Sequence, residues 1–442
     1  MPYLERPLSR LFHLIHWRHW KGRLVVWSGA ILAALVIVAF ARLVDWSSTL
    51  FNQLRLQSAW LPFLLTPAGG MLITYLTRQY FHGAAGSGIP QVIAALKMAP
   101  EHSKQQLVSL RIAIGKVLLG TAALACGFSS GREGPSVQIG ASLMYSVRQL
   151  LPRRFPIHSH HLILAGGAAG IAAAFNTPLA GIVFAIEELG RKFEERTNGV
   201  LLTAIILAGV ISISLQGNYT YFGRIVVGPI DSQLALPILL SGSVAGLCGG
   251  IFARLMLAGA ASWPGLAGQI KQQQPVLFAG LCGLLVALLG YLSDGAVHGS
   301  GYLPTQQALS GITPLPGWYA PGKILATLLS YYSGIPGGIF APSLAVGAGI
   351  GQDLANLHLV TSNNAVWIAL SMAAFLAAVT QAPITAFVIV MEMIDGHAMV
   401  VSLIACAFLA SLLSKAISPP LYHTLAHRFT KQGSLHASDD RS

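Results

Sequence analysis

Thirteen residues, Ser129 to Ala141 (SSGREGPSVQIGA), carry Arg132 and Glu133 between glycines inside a long apolar region. Ionised side chains at membrane depth are costly, so such a pair points to function. Gly131 and Gly134 permit unusual backbone angles, and Pro135 suits a first helical turn. A helix that begins inside a membrane aims free N–H groups and a positive dipole end into the protein. That is a ready anion site, and the Glu133 carboxylate can itself be the anion that fills it. Gly86 to Pro90 (GSGIP) has the same grammar, with the Ser87 hydroxyl beside the free amides. Taken alone, it reads equally well as a turn between spans.

Other chemistry-bearing residues are more ambiguous. Lys116 either snorkels to an interface or lends positive potential to a buried anion. Glu187 and Glu188 end an apolar run and precede Arg191 and Lys192, so they either mark an interface or act within the protein. They have no His or third carboxylate at helical spacing to complete a metal site. His158, His160 and His161 read as a solvated loop rather than a metal tract. Cys126, Cys248, Cys282 and Cys406 are scattered in apolar runs and read as core residues. Tyr422, just past Pro419 and Pro420, offers a hydroxyl to a site or sits in an interfacial belt. No nucleophile–base set appears, so the chain does not read as an enzyme, and no cofactor is implied.

The elements that position these residues are membrane helices. The 442 residues are 54% hydrophobic and 10% charged, with mean hydropathy +0.64. Soluble domains carry about 25% charged residues. Runs such as Leu24 to Leu43 and Ala235 to Ala253 approach the length needed to span a bilayer. Net charge is +12, with basic residues near both ends, among them Arg6, Arg10, Arg18, Lys21, Arg23, Lys415, Arg428 and Lys431. The positive-inside rule then places both termini in the cytoplasm. Nucleic acid is excluded as a partner, because no soluble basic domain exists to hold it.

The second half repeats the first. Gly86-Ser87-Gly88 is answered by Gly299-Ser300-Gly301, and Gly115-Lys116 by Gly322-Lys323. GREGPSVQIGA, Gly131 to Ala141, aligns on GIFAPSLAVGA, Gly338 to Ala348, and both of the last two matches share an offset of 207 residues. Ala168 to Glu187 aligns on Ala373 to Glu392, with Pro178 over Pro383. Two homologous halves with Gly/Pro-broken helices mark a transporter whose site lies between the repeats. Where the first half has Arg132-Glu133, the second has Ile339-Phe340. Both helix starts are kept, but only one carries a carboxylate. The expected organisation is an amphipathic cytoplasmic N-terminus (1–23), a first transmembrane repeat (24–220), a second (221–430) and a disordered cytoplasmic tail (431–442).

GSGIP, GREGP, GGIFAP (Gly337 to Pro342) and the tyrosine near the end together resemble the CLC family of chloride channels and transporters, over nearly the whole chain. The chain looks most like short bacterial members without C-terminal regulatory domains. The resemblance implies an all-α polytopic membrane protein with two inverted repeats of tilted, broken helices. It implies a homodimer in the lipid bilayer of the bacterial inner membrane, with one pore per subunit. Chloride, the substrate, would be held by Ser87, Tyr422 and the backbone amides of Ile339 and Phe340. Glu133 would be the gate and Glu188 the internal proton-transfer group, with Lys116 and Arg132 as possible electrostatic support. Ser87, where nitrate-preferring relatives have proline, points to chloride, and the motif set argues against the fluoride branch. Both glutamates favour chloride/proton antiport, with an electrical shunt in acid resistance as its role. A passive voltage-gated channel is the alternative.

Overall fold

A computed structural model of the chain describes residues 17–98, 101–152, 155, 157–190, 198–217, 220–225, 234–260, 263–360 and 363–439. The expected N-terminal surface helix therefore lies largely outside the described residues, as do Arg191, Lys192 and most of the loop between the repeats. The first repeat runs α1 Trp17–Gln57, α2 Leu61–Tyr80, α3 Ile89–Lys97, α4 Glu101–Leu107, α5 Leu110–Ala125, α6 Glu133–Val147, α7 Ser159–Phe175, α8 Pro178–Phe184 and α9 Asn198–Gln216. The second runs α10 Ala235–Gly259, α11 Gly265–Gln273, α12 Pro275–Leu292, α13 Tyr302–Leu309, α14 Tyr319–Tyr332, α15 Phe340–Ala355, α16 Asn364–Thr380, α17 Pro383–Ile394, α18 Val400–Ile417 and α19 Leu421–Asp439. Six helices among the described residues are long and apolar enough to cross a membrane.

The first span is longer than its apolar run. α1 has 41 residues, which at about 1.5 Å each is roughly twice the hydrocarbon thickness, so it must tilt or project into water. α19 runs as helix to Asp439. Helix breaks fall where the motifs put them. α7 ends at Asn176 in the left-handed region and α8 starts at Pro178, and the second repeat does the same at Gln381 and Pro383.

Small residues let the broken helices cross closely. A Cβ on Gly140 of α6 would lie 2.2 Å from the Gly166 carbonyl of α7. The equivalent Gly347 of α15 would meet the Ser371 carbonyl of α16 at 2.5 Å. The loops that start α6 and α15 are joined directly: Gly131 and Gly338 each donate an N–H to the other's carbonyl, at 2.7 and 2.8 Å. Reciprocal contacts of this kind mark a pseudo-two-fold axis between the repeats.

The repeats are inverted. α3 runs from the Ser87 loop to Lys97, beside the Leu96 carbonyl that faces His160. Close to His160 in sequence, Phe155 packs on Gly22 at the start of α1. The Ser300 loop instead lines a cavity with Asp45 and Asn52 near the end of α1.

The repeat relation also governs the buried charges. Lys116 does not snorkel: it is fully buried, and its ammonium donates to the Ala84 and Gly86 carbonyls at 2.8 and 2.6 Å. Lys323 does the same for Val297 and Gly299 at 2.9 and 2.8 Å. Each loop leaves carbonyls without helical partners, and a buried ammonium is the donor that satisfies them.

Glu187 does not mark an interface either. Its carboxylate accepts the N–H groups of Ile384 (3.1 Å) and Thr385 (2.6 Å), at the start of α17. Glu392 returns the bond, accepting from Leu179 (3.2 Å) and Ala180 (2.7 Å) at the start of α8. Each repeat caps a helix of the other. Hydrogen bonds to an ionised group contribute about 1.5–3 kcal/mol each. We expect Glu187→Gln and Glu392→Gln to lower the thermal midpoint of the purified protein by similar amounts. An unchanged midpoint for either would show that its cap adds no stability.

At one end of the bundle Glu101 ties α4, α6 and α7 together. It accepts from Lys104 (3.1 Å), Ser159 (2.7 Å), the Tyr145 hydroxyl (2.7 Å) and Arg148. Burial alone would raise this carboxyl, but the bonds from Ser159, Tyr145 and Lys104 hold it at about 2 against an ordinary 4.5. Because the folded value is depressed, its stabilisation is complete above the ordinary value and is lost as pH falls toward about 2. Wild type should therefore melt above Glu101→Gln at neutral pH, and thermal scans down the acid range should see the gap close. A gap that stays constant with pH would contradict this.

Candidate functional site

Three helix starts converge. α3 follows the Ser87 loop, with Gly86 and Gly88 at positive φ, which an L side chain rarely adopts. Gly86 donates to the Ile335 carbonyl and accepts from the Gly337 N–H, both at 3.1 Å. The Ser87 loop is thereby bound to the loop before α15, and the loop before α6 is bound to the same segment through Gly131 and Gly338. Close approach needs glycine here: a Cβ on Gly134 would lie 2.5 Å from Ser87 Oγ.

Glu133 is the first residue of α6 and is fully buried. Its carboxylate does not point into its own helix dipole alone. Oε2 accepts the Ala341 N–H at 3.4 Å, in the first turn of α15, and folds back over Gly131. The carboxylate therefore sits on the helix start whose first residues are Ile339, as the cap, and Phe340. Of the residues singled out from sequence, Glu133, Ile339 and Phe340 share one place.

Ser87 and Tyr422 join them. The Tyr422 hydroxyl lies within electrostatic reach of Ser87, Glu188 and Glu133. Tyr422 is fully buried in the first turn of α19, not in an interfacial belt, and its ring stacks on Phe340 at 6.0 Å and 15°. Both hydroxyls, Ser87 Oγ and Tyr422 Oη, are buried, and apart from their approach to each other neither has a hydrogen-bond partner. An unpaired buried hydroxyl costs about 1–3 kcal/mol. Two that face each other beside a helix N-terminus form a set of donors awaiting an acceptor.

Glu188 is also buried. It lies in a π-helical turn, Ala185–Gly190, that sends it inward while Glu187 reaches across to α17. Such turns are rare and recur at functional sites.

Arg132 and Lys116 are placed differently. Arg132 donates to both oxygens of Asp45 at 2.7 Å and to the Ala41 carbonyl at 3.1 Å, and lies 5.6 Å from the Tyr221 ring centre. Asp45, on α1, had no signal in the sequence to mark it as the partner. Lys116 is committed to the carbonyls of the Ser87 loop. Neither cation faces the hydroxyls directly. Among the described residues no group of three His, Cys, Asp or Glu is placed to hold a metal.

The family described as voltage gated chloride channel matches residues 69–415. The H(+)/Cl(-) exchange transporter ClcA of Citrobacter koseri is 32% identical over 430 residues, covering 92% of this chain and 88% of that protein. ClcA of Klebsiella pneumoniae is 31% identical over 416 residues, covering 90% and 86%. Among solved structures, a slow cyanobacterial Cl−/H+ antiporter superposes with a TM-score of 0.79 at 24% identity, over 93% of this chain and 98% of that one. A CLC-type fluoride/proton antiporter gives 0.75 at 24%, over 91% and 96%. The chain belongs to the voltage-gated chloride channel, or CLC, family and has its fold.

Lys116→Met should leave the Ala84 and Gly86 carbonyls unpaired and free the Ser87 loop. We expect chloride affinity, by calorimetry, to fall about tenfold, the equivalent of about 1.4 kcal/mol. Unchanged affinity would mean that Lys116 does not hold the loop in its binding shape.

Proposed function

We propose that the chain exchanges chloride for protons across the bacterial inner membrane. The observation that carries this is the pair of acceptor-less hydroxyls, Ser87 and Tyr422, beside a helix start already engaged by the Glu133 carboxylate. Chloride accepts hydrogen bonds without directional demand, so amides of Ile339 and Phe340 and two hydroxyls suit it. A deprotonated Glu133 competes for the same donors. When protonated it loses its charge and leaves them to the ion. Proton and chloride occupancy are then coupled at one carboxylate.

Glu188 supplies the second proton station, buried and within electrostatic reach of Tyr422. The named function of the ClcA relatives supports the exchange reading over passive conduction. The protein acts as a transporter rather than an enzyme, with chloride as substrate and no cofactor.

The assembly is a homodimer with both termini in the cytoplasm. Leu179, Ile206, Ile384, Val401, Phe408 and Leu412 form exposed apolar surface on α8, α9, α17 and α18, which a partner copy or lipid must cover. An electrical shunt in acid resistance is the physiological role we propose.

The test is flux from reconstituted vesicles. A chloride gradient should drive protons uphill in wild type. Glu188→Gln should abolish proton movement while chloride still moves, and Glu133→Gln should uncouple the two. If wild-type vesicles pass chloride but never drive protons, the passive channel is the right reading. If either variant pumps protons normally, that residue's role is misassigned.

A further inference from the structure

One residue absent from the sequence reading stands beside the proton glutamate. His423 follows Tyr422 in the first turn of α19 and is 8% exposed. Its Nε2 lies 3.7 Å from Glu188 Oε1. On its other side, Nδ1 is 3.4 Å from the ammonium of Lys97. Lys97 ends α3 and is exposed. An ammonium carries donors only. Nδ1 must then accept, which fixes the neutral ring with its hydrogen on Nε2, the atom that faces the carboxylate. The bond one ring nitrogen makes sets the state of the other.

We propose that His423 is the proton relay between water at Lys97 and Glu188, and that Lys97 is the positioning residue that sets its tautomer. The idea rests on the exchange reading above, in which Glu188 is the second proton station, and places its supply on the cytoplasmic side. As Nδ1 takes a proton from water or from the Lys97 ammonium, the Nε2–H bond breaks and Glu188 Oε1–H forms. The carboxylate becomes neutral, and the ring keeps one proton, now on Nδ1. Swinging the ring toward the exposed end lets that proton exchange with water and restores the starting tautomer. The reverse sequence returns a proton to the cytoplasm. The 3.7 Å separation is longer than a hydrogen bond, as is common for such pairs before the transfer geometry is reached.

The geometry also explains why a histidine is useful here. Glu188 is 2% exposed and sealed within the bundle, whereas Lys97 is in water. A single imidazole spans the gap with one nitrogen at each end. The Phe340 ring stacked on Tyr422 holds the first turn of α19, and so the backbone of His423, in place.

The experiment uses the full chain in vesicles, reading proton and chloride movement together. Wild type, His423→Gly, His423→Gln and Lys97→Met are compared, with chloride binding by calorimetry as the check on folding. For His423→Gly and His423→Gln, protons moved per chloride should fall about tenfold, in line with the loss of a positioned proton-transfer group. Added imidazole should restore much of the ratio in His423→Gly, where it has room, and none in His423→Gln. Lys97→Met should give a smaller loss. If both His423 variants pump as wild type does, the relay is wrong while exchange stands. A loss in His423→Gly that imidazole does not repair would assign His423 a structural part and overturn the relay. A wild type that never pumps would overturn the exchange reading itself, and the relay with it.

Discussion

Two hydrogen bonds exchanged between Gly131 and Gly338 hold the rest in register. Within a membrane every backbone polar group needs a partner, because no water supplies one. A helix that starts at mid-depth breaks this rule at its first turn. The solution here is mutual: two broken helices meet start to start, and their lead-in loops satisfy each other. The Ser87 loop is drawn into the same arrangement through Gly86, Ile335 and Gly337. Donors left over, at the first amides of α15 and on two hydroxyls, are then concentrated at one place. The anion site is what remains when the loops have paired.

The duplication supplies the remaining bonds in reciprocal pairs. Lys116 and Lys323 each satisfy the carbonyls of their own repeat's GSG loop. Glu187 and Glu392 each cap a helix of the opposite repeat. These charges stabilise the backbone where it departs from helix, and the cost of burying them is offset by several short bonds apiece. Function enters where the symmetry fails. Glu133 stands where its counterpart is Phe340, and that phenylalanine instead stacks on Tyr422. In the exchange proposed above, one half contributes the carboxylate and the other the amide donors it competes for.

Much of this was legible in the sequence. Glycine, proline and the internal alignment located the helix starts and the breaks after Asn176 and Gln381, whereas the parts given to Tyr422 and Glu188 came from the family resemblance. What escaped was the identity of partners. Arg132 and Asp45 are 87 residues apart and share no motif. Lys116 bonds to carbonyls, which carry no residue-type signal, so snorkelling, the commoner fate of such a lysine, was the expected reading. Glu187 looked interfacial because its acceptors' partners, the amides of Ile384 and Thr385, lie in the other repeat. The pairing was latent in the alignment, since Glu187 and Glu392 occupy equivalent positions. Reading it required knowing that the two helix starts face one another. His423 was passed over because a lone histidine beside a tyrosine has no pattern, and its meaning comes from Lys97 and Glu188 on two other elements.

The disposition of cations explains how the site can bind an anion and still release it. A full positive charge in contact with chloride, inside a medium of low dielectric, would bind it far too tightly for turnover. Two cations lie close in sequence or space to the Ser87 and Glu133 loops, and both are occupied. Arg132 is held by the two oxygens of Asp45 and the Ala41 carbonyl. Lys116 is held by two loop carbonyls. In the proposed site their charges would raise the local potential without touching the ion, and contact would be left to amides and hydroxyls, whose partial charges bind weakly enough to exchange. The same weakness lets a single carboxylate compete. In the gating proposed for Glu133, an Arg132 free to face the site would pair with that carboxylate and hold it, and the Asp45 bond on α1 keeps the guanidinium engaged elsewhere.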